Sequence, residues 1–288
     1  MPSLIDIRRR IRSVKSTQQI TRAMKMVSAA KLRRAQDRVV ASRPYAGMLR
    51  QMLSNVAAAA STGSAAGEAK SPLLIDRPER RIQVLLITSD RGLAGAFNTN
   101  LIRAAQKFID ERPDATVEFE LVGRKGRDYF RRRTYPITGE HLGILNPPLY
   151  NDAAAIGQKL AKRILDDEID AVYLIYNEFK SVMTQNLTLI KVLPITPPAE
   201  SEAIDYLYEQ PPAVLLSTLL PKYIEVQVYT AMIETSAAEH AARMTAMDAA
   251  TGNAADMIER LTLYMNRVRQ ASITREIIEV VSGASALE

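Results

Sequence analysis

The chain has no cysteine. Disulfides, thiolate metal sites and cysteine nucleophiles are therefore excluded. Histidine is nearly absent too: only His141 and His240 occur, too few for a histidine-rich metal centre. His240 lies among alanines with no carboxylate at HExxH spacing, so it is expected to face a partner or water, not to act as a base. No apolar run approaches the ~18 residues of a membrane span. No leader-peptide pattern opens the chain. The first segment is basic, but it is also rich in Gln and Met and carries a helical seam, so it reads as mature structure. The patterns G-x-x-x-x-G-K-[ST], G-x-G-x-x-G and G-x-S-x-G are all missing, so neither a nucleotide fingerprint nor a nucleophile elbow is visible. Helix breakers are scarce at the end: beyond Pro221 only Gly252 and Gly283 interrupt the helix formers.

What is present begins with charge. The 288 residues carry a net charge of +6, yet residues 1–50 alone hold 13 Lys and Arg against Asp6 and Asp37. A basic arm of this kind suits an acidic partner: nucleic acid, anionic lipid or an acidic protein loop. Arg8, Arg9, Arg10, Arg12, Lys15 and Arg22 are scattered round a helix, with Tyr45 the sole aromatic of that segment. Base-reading groups are not evident. A solvated face and an acidic protein partner remain equal readings.

Hydrophobic spacing then sets the architecture. Met244, Met247, Thr251, Ala254, Ile258, Leu261, Met265 and Val268 step by three and four residues in turn. Such a 3.5-residue repeat keeps one stripe against a partner helix. A second row, Ala250, Met257, Tyr264, Ala271 and Ile278, widens the apolar face. A helix from Lys222 to Val281 would run about 90 Å at 1.5 Å per residue, so it needs a partner along its length. The other end of the chain supplies one. Leu4, Ile7, Ile11, Val14, Gln18 and Thr21 repeat with the same spacing, with Ile20, Met24 and Val27 as a rotated continuation. Ser3 and Asp6 form a capping-box-like start, and Pro44 predicts a kink or short break. The tip from Ile277 to Leu287 is apolar, which predicts burial against the N-terminal helix or inside another subunit.

Between these ends the texture changes. Residues 61–72 are small and polar and read as a linker. Strands are expected at Ile82–Thr88, Thr116–Val122 and Ala171–Asn177, with a partly alternating edge strand at Gln185–Leu193. Helices are expected at Thr99–Glu111, Lys125–Arg132 and Asp152–Glu168. Strands alternating with helices indicate an α/β layer. The expected division is a helix over 1–60, a linker over 61–75, an α/β domain over 76–200, an extended connection over 201–221 and a helix over 222–288. The loop Ser89–Gly95 stands where phosphate loops stand, but its glycines are read as a tight turn. Asp166, Asp167, Glu168 and Asp170 are sequential and point different ways, so they read as a solvated face rather than a cation site.

Four stretches resemble one family. Residues 7–46, 242–287, 88–98 (TSDRGLAGAFN) and 205–212 (DYLYEQPP) closely resemble segments of the γ subunit of the F-type ATP synthase, in the same order over the full length. Ala94 and Ala96 stand where relatives usually carry Cys and Gly. The cysteine-bearing insertion of the chloroplast form is missing, so thiol regulation is not expected; with no transit-peptide pattern, the bacterial type is favoured. The resemblance implies an antiparallel coiled coil of the two terminal helices with an inserted α/β (Rossmann-like) domain. It also implies a non-catalytic rotor shaft without cofactors. The implied partners are the α and β subunits of the catalytic ring, the ε subunit and the membrane c-ring, which alone would hold the chain peripherally at the cytoplasmic side of the cell membrane. By motif match, Met24, Lys25, Arg243, Arg269, Gln270, Thr274 and Glu276 fall where relatives meet the αβ ring. Arg34, Asp37, Arg38, Arg43, Tyr206, Tyr208 and Glu209 fall near the foot. Two other readings stand beside it: a nucleotide-binding α/β enzyme using Asp90–Gly95, and a coiled-coil nucleic-acid-binding protein using the basic arm.

Overall fold

The computed structural model describes residues 3–62, 71–195 and 210–285. In chain order these form α1 (Leu4–Thr62), a short 3-10 turn (Pro72–Leu74), β1 (Arg81–Ile87), α2 (Phe97–Asp110), β2 (Thr116–Val122), α3 (Arg124–Phe130), β3 (Ile137–His141), α4 (Tyr150–Leu165), β4 (Ala171–Phe179), β5 (Gln185–Leu193) and α5 (Pro212–Ser285). The fold is mixed α/β, a five-stranded sheet together with two long terminal helices, as expected. The chain divides into two compact units: Met1–Ala29 with Arg243–Glu288, and Ala30–Ala242.

The larger unit is built on a sheet in the order β3-β2-β1-β4-β5. β3, β2, β1 and β4 run parallel, and β5 returns antiparallel along β4. Parallel strands covered on both faces are apolar throughout, and β1 (RIQVLLI) is buried at every position after Arg81. One face packs under α4, α1 and α5, through Leu85, Ile87, Val122 and Leu174 against Leu160, Leu53 and Ile224. Phe119 of β2 stacks on Phe130 of α3 at 4.2 Å, and Tyr173 of β4 meets Phe108 of α2 at 4.7 Å. β5 is an edge strand with Leu187 and Leu189 outward.

Several expectations need correction. β3 was not expected, because ITGEH has no apolar run. Pro44 does not break α1, which runs through it. The proline sits on the exposed side while Ser42, Ala46 and Leu49 stay on the packed side. Packing on that side outweighs the loss of one backbone donor. α5 begins at Pro212, ten residues before the expected start, and Pro221 lies inside it. A proline at a first helical position loses no bond, since that N–H has no partner in any helix; Leu216 and Leu220 then bury against the α/β core. His240 is buried, not turned to water. The reason is that α5 is covered on every side from Ala231 to Ala241, where small alanines let its neighbours approach. Most of the expected linker, and Ala286 and Leu287 of the tip, lie outside the described residues.

Candidate functional site

The smaller unit pairs the start of α1 with the last part of α5. At the start of α1, the Ser3 Oγ accepts from the Asp6 N–H at 3.2 Å, and Asp6 accepts in turn from the Ser3 N–H at 3.2 Å. Those bonds from Ser3 hold the Asp6 carboxyl below its usual range. Two cross-contacts fix direction and register. The Thr21 and Thr251 hydroxyls meet at 2.8 Å, and the Lys25 ammonium meets Asp248 at 2.6 Å. As the first number rises the second falls, so the helices run antiparallel.

Burial follows the heptad. In α5 the seam read from spacing, Met244, Met247, Thr251, Ala254, Ile258, Leu261, Met265 and Val268, is buried or half-buried at every position. In α1 the seam positions are Leu4, Ile7, Ile11, Val14, Gln18, Thr21, Lys25 and Ser28. The rotated stripe is corrected here. Ile20 and Val27 face outward, because the seam keeps its register through Lys25 and Ser28 although both are polar. The second row of α5 also stays open: Met257 is 51% exposed, Tyr264 40% and Ile278 59%. The tip is equally bare at Ile273, Ile277, Val280 and Val281. α1 does not cover this tip. At the register set by Thr21 and Thr251, Leu4 lies level with Val268.

The sequence-predicted residues fall in both units. Arg269, Gln270, Thr274 and Glu276 are exposed beyond the end of the seam. Thr274 donates to the Gln270 carbonyl at 3.0 Å, and Glu276 accepts from Ser272 at 3.3 Å. Met24 is half-buried, Lys25 is tied to Asp248, and Arg243 is buried. In the larger unit Arg34, Asp37 and Arg38 are exposed on α1. Arg43 donates to the Phe179 carbonyl at the end of β4 at 3.1 Å and faces Glu234 of α5 at 3.8 Å. Tyr206, Tyr208 and Glu209 lie outside the described residues. Spacing alone missed Asp248, Glu225 and Glu234, since nothing in a sequence gives the register of a second helix.

The loop after β1 is a strand-to-helix turn. Asp90 accepts from the backbone N–H of Arg124 and of Gly143, both at 3.1 Å. Those amides belong to the start of α3 and to the loop after β3, not to the N-terminus of α2, and the carboxylate's charge disfavours a phosphate beside it. Ser89 binds Asn98 through both its backbone N–H and its hydroxyl, at 3.0 Å each. The acidic run after α4 faces arginines: Asp167 meets Arg77, Asp170 meets Arg81 at 2.8 Å, and Glu168 meets Arg163 at 2.7 Å. Hydrogen bonding from Arg81, opposed by burial, holds the Asp170 carboxyl below its usual range. Among the described residues no group of acids, histidines or cysteines could hold a metal ion, and no helix is long and apolar enough to cross a membrane.

A zipped helix pair with an outward apolar row, joined through the chain to an α/β domain, defines a class: a subunit of a larger assembly. The chain belongs to the ATP synthase gamma-chain family. A family model described as "ATP synthase" matches residues 3–287. The chain is 62% identical to the ATP synthase gamma chain of Solibacter usitatus, with all of both chains covered. It is 50% identical to that of Anaeromyxobacter sp. (strain Fw109-5), again over the full length of both. Among solved structures it is similar to a chain of the Tetrahymena thermophila mitochondrial ATP synthase central stalk and c-ring, at 26% identity and TM-score 0.62, over 80% of this chain and 99% of that one. A chain of the Euglena gracilis enzyme shares the fold at TM-score 0.69 and 19% identity, over 99% of this chain and 94% of that one.

Proposed function

We propose that the chain is the central rotor shaft of a proton-translocating F-type ATP synthase. It couples rotation of the membrane c-ring to conformational cycling of the catalytic β subunits and performs no chemistry itself. The observation that carries this is the open row of Met257, Tyr264 and Ile278 beside a closed heptad seam. A seam satisfies the helix pair, and a second apolar row serves only a further partner. In this reading the ring of α and β subunits surrounds that row. Met24, Lys25, Arg243, Arg269, Gln270, Thr274 and Glu276 turn against it. The foot, with Arg34, Asp37, Arg38, Arg43, Tyr206, Tyr208 and Glu209, meets the ε subunit and the c-ring. Membrane association, on the cytoplasmic side, runs through the c-ring alone.

The mechanism is then one of differential contact. A turning surface shifts a β subunit between conformers only by touching them unequally. An asymmetric helix pair presents a different face to each β subunit, and rotation permutes those faces. Apolar side chains slide with few directional bonds to break. The test is co-purification from a cell carrying a tagged copy: α, β, ε and c subunits are expected with the tag. A tagged chain recovered without them overturns the proposal.

A further inference from the structure

From Lys222 to Ser236, α5 carries a set of contacts to α4 and the loop before it. Lys222, Glu225, Tyr229, Met232 and Ser236 recur at alternating steps of three and four, so they share one stripe of the helix. At the centre, α4 crosses α5 with no space for a side chain. A Cβ on Gly157 would stand 3.0 Å from the Glu225 Cα and 3.2 Å from its N. The Glu225 carboxylate, almost fully buried, gathers the far side of the crossing. The Gln158 amide donates to it at 2.7 Å, the Lys222 ammonium at 3.4 Å, and the Tyr150 hydroxyl donates as well. The Lys222 ammonium also lies 4.6 Å over the Tyr150 ring, and Tyr150 meets Tyr229 edge-on at 5.6 Å. Three turns on, the Ser236 hydroxyl donates to the Leu145 carbonyl at 3.0 Å in a buried contact.

We propose that this crossing is a fixed key that makes the α/β domain and α5 turn as one body, with Glu225 as its positioning residue; the inference rests on the rotor reading. Apolar packing is non-directional and does not by itself pair one group with one partner. A buried carboxylate with three donors does not slide, because any shift leaves a charge without its partners. The glycine crossing adds a steric stop. Torque entering through the α/β domain therefore passes into α5 at Gly157 and Glu225.

The test uses the assembled enzyme in inverted membrane vesicles. Glu225→Ala is expected to lower protons pumped per ATP hydrolysed by about two-fold or more, with hydrolysis nearly unchanged. Gln158→Cys with Lys222→Cys, both at exposed positions, removes two of the three donors and is expected to lower coupling in the same way. Bridging that pair with a short bismaleimide is expected to restore coupling without slowing turnover. Slowed turnover in the bridged form, or full coupling in Glu225→Ala, overturns the key while the rotor reading stands. A chain that does not co-purify with the ring subunits sinks the rotor reading and the key together.

Discussion

Two buried glutamates sit at opposite ends of the carboxylate range. Glu234 of α5 is pushed up to about 7 by burial and by Glu178, against the pull of Arg43. Its ordinary value is 4.5, so between there and pH 7 the folded chain keeps a proton that the unfolded chain has released. Stability is therefore full below that window and falls as pH rises through it, by about 3 kcal/mol in all. Glu234→Gln is expected to abolish this decline, raising the melting temperature at pH 8 and leaving it almost unchanged at pH 4.5; thermal melts across pH decide it. Glu120 of β2 behaves in the opposite way. Burial would raise it, but bonds from His141 at 2.6 Å, Lys159 at 2.8 Å and Thr138 at 2.8 Å bring it down to about 2. Its contribution is present above pH 4.5 and lost as pH falls toward 2. Glu120→Gln is expected to cost about 3 kcal/mol at neutral pH and to flatten acid unfolding between those limits. Neither site was legible beforehand. In TVEFELV, Glu120 reads as an outward position of an ordinary strand, and its partners lie on β3 and α4, distant in sequence.

At the scale of single elements, local chemistry was easiest to read where one partner sufficed. The capping pair of Ser3 and Asp6, the strand Thr116–Val122 and the strand Gln185–Leu193 follow from their own residues. So does the α5 seam, because a heptad needs only one helix to be written. β3 escaped because its order comes from pairing with β2, not from its own side chains. Gly123, between β2 and α3, shows how tightly such joins are built. It has φ +91°, and a Cβ there would lie 2.0 Å from the Thr88 carbonyl oxygen. Gly123→Ala is expected to destabilise by about 3 kcal/mol or more, read as a large drop in melting temperature. The Thr21 and Thr251 pair invites the opposite experiment. Replacing both with valine exchanges a polar seam layer for an apolar one of similar shape, which is neutral to stabilising by about 1 kcal/mol. A double variant that melts well below the wild type would show that the hydroxyl pair matters more than seam packing.

For the whole molecule, coupling is expected to depend on residues that folding does not need. Arg269 and Gln270 are exposed just past the end of the seam. Arg269→Ala with Gln270→Ala is expected to leave the isolated chain's circular dichroism and melting unchanged and to weaken coupling of rotation to ATP turnover in the assembled enzyme. Wild-type coupling in that double variant would count against the ring-facing role. The two helical ends and the inserted α/β layer were readable from periodicity because each segment is long and regular. The division between the two units was not, since α5 changes its surroundings near Arg243 without changing its sequence texture.

The bare tip from Ile273 to Val281 bears on how a cell must make this protein. A copy synthesised before its companions shows greasy side chains to water and to other orphan copies. Such a copy is a natural client for chaperones and proteases, and a clumping hazard if neither intervenes. Supply of this chain should therefore track that of its companions, with surplus copies cleared soon after synthesis.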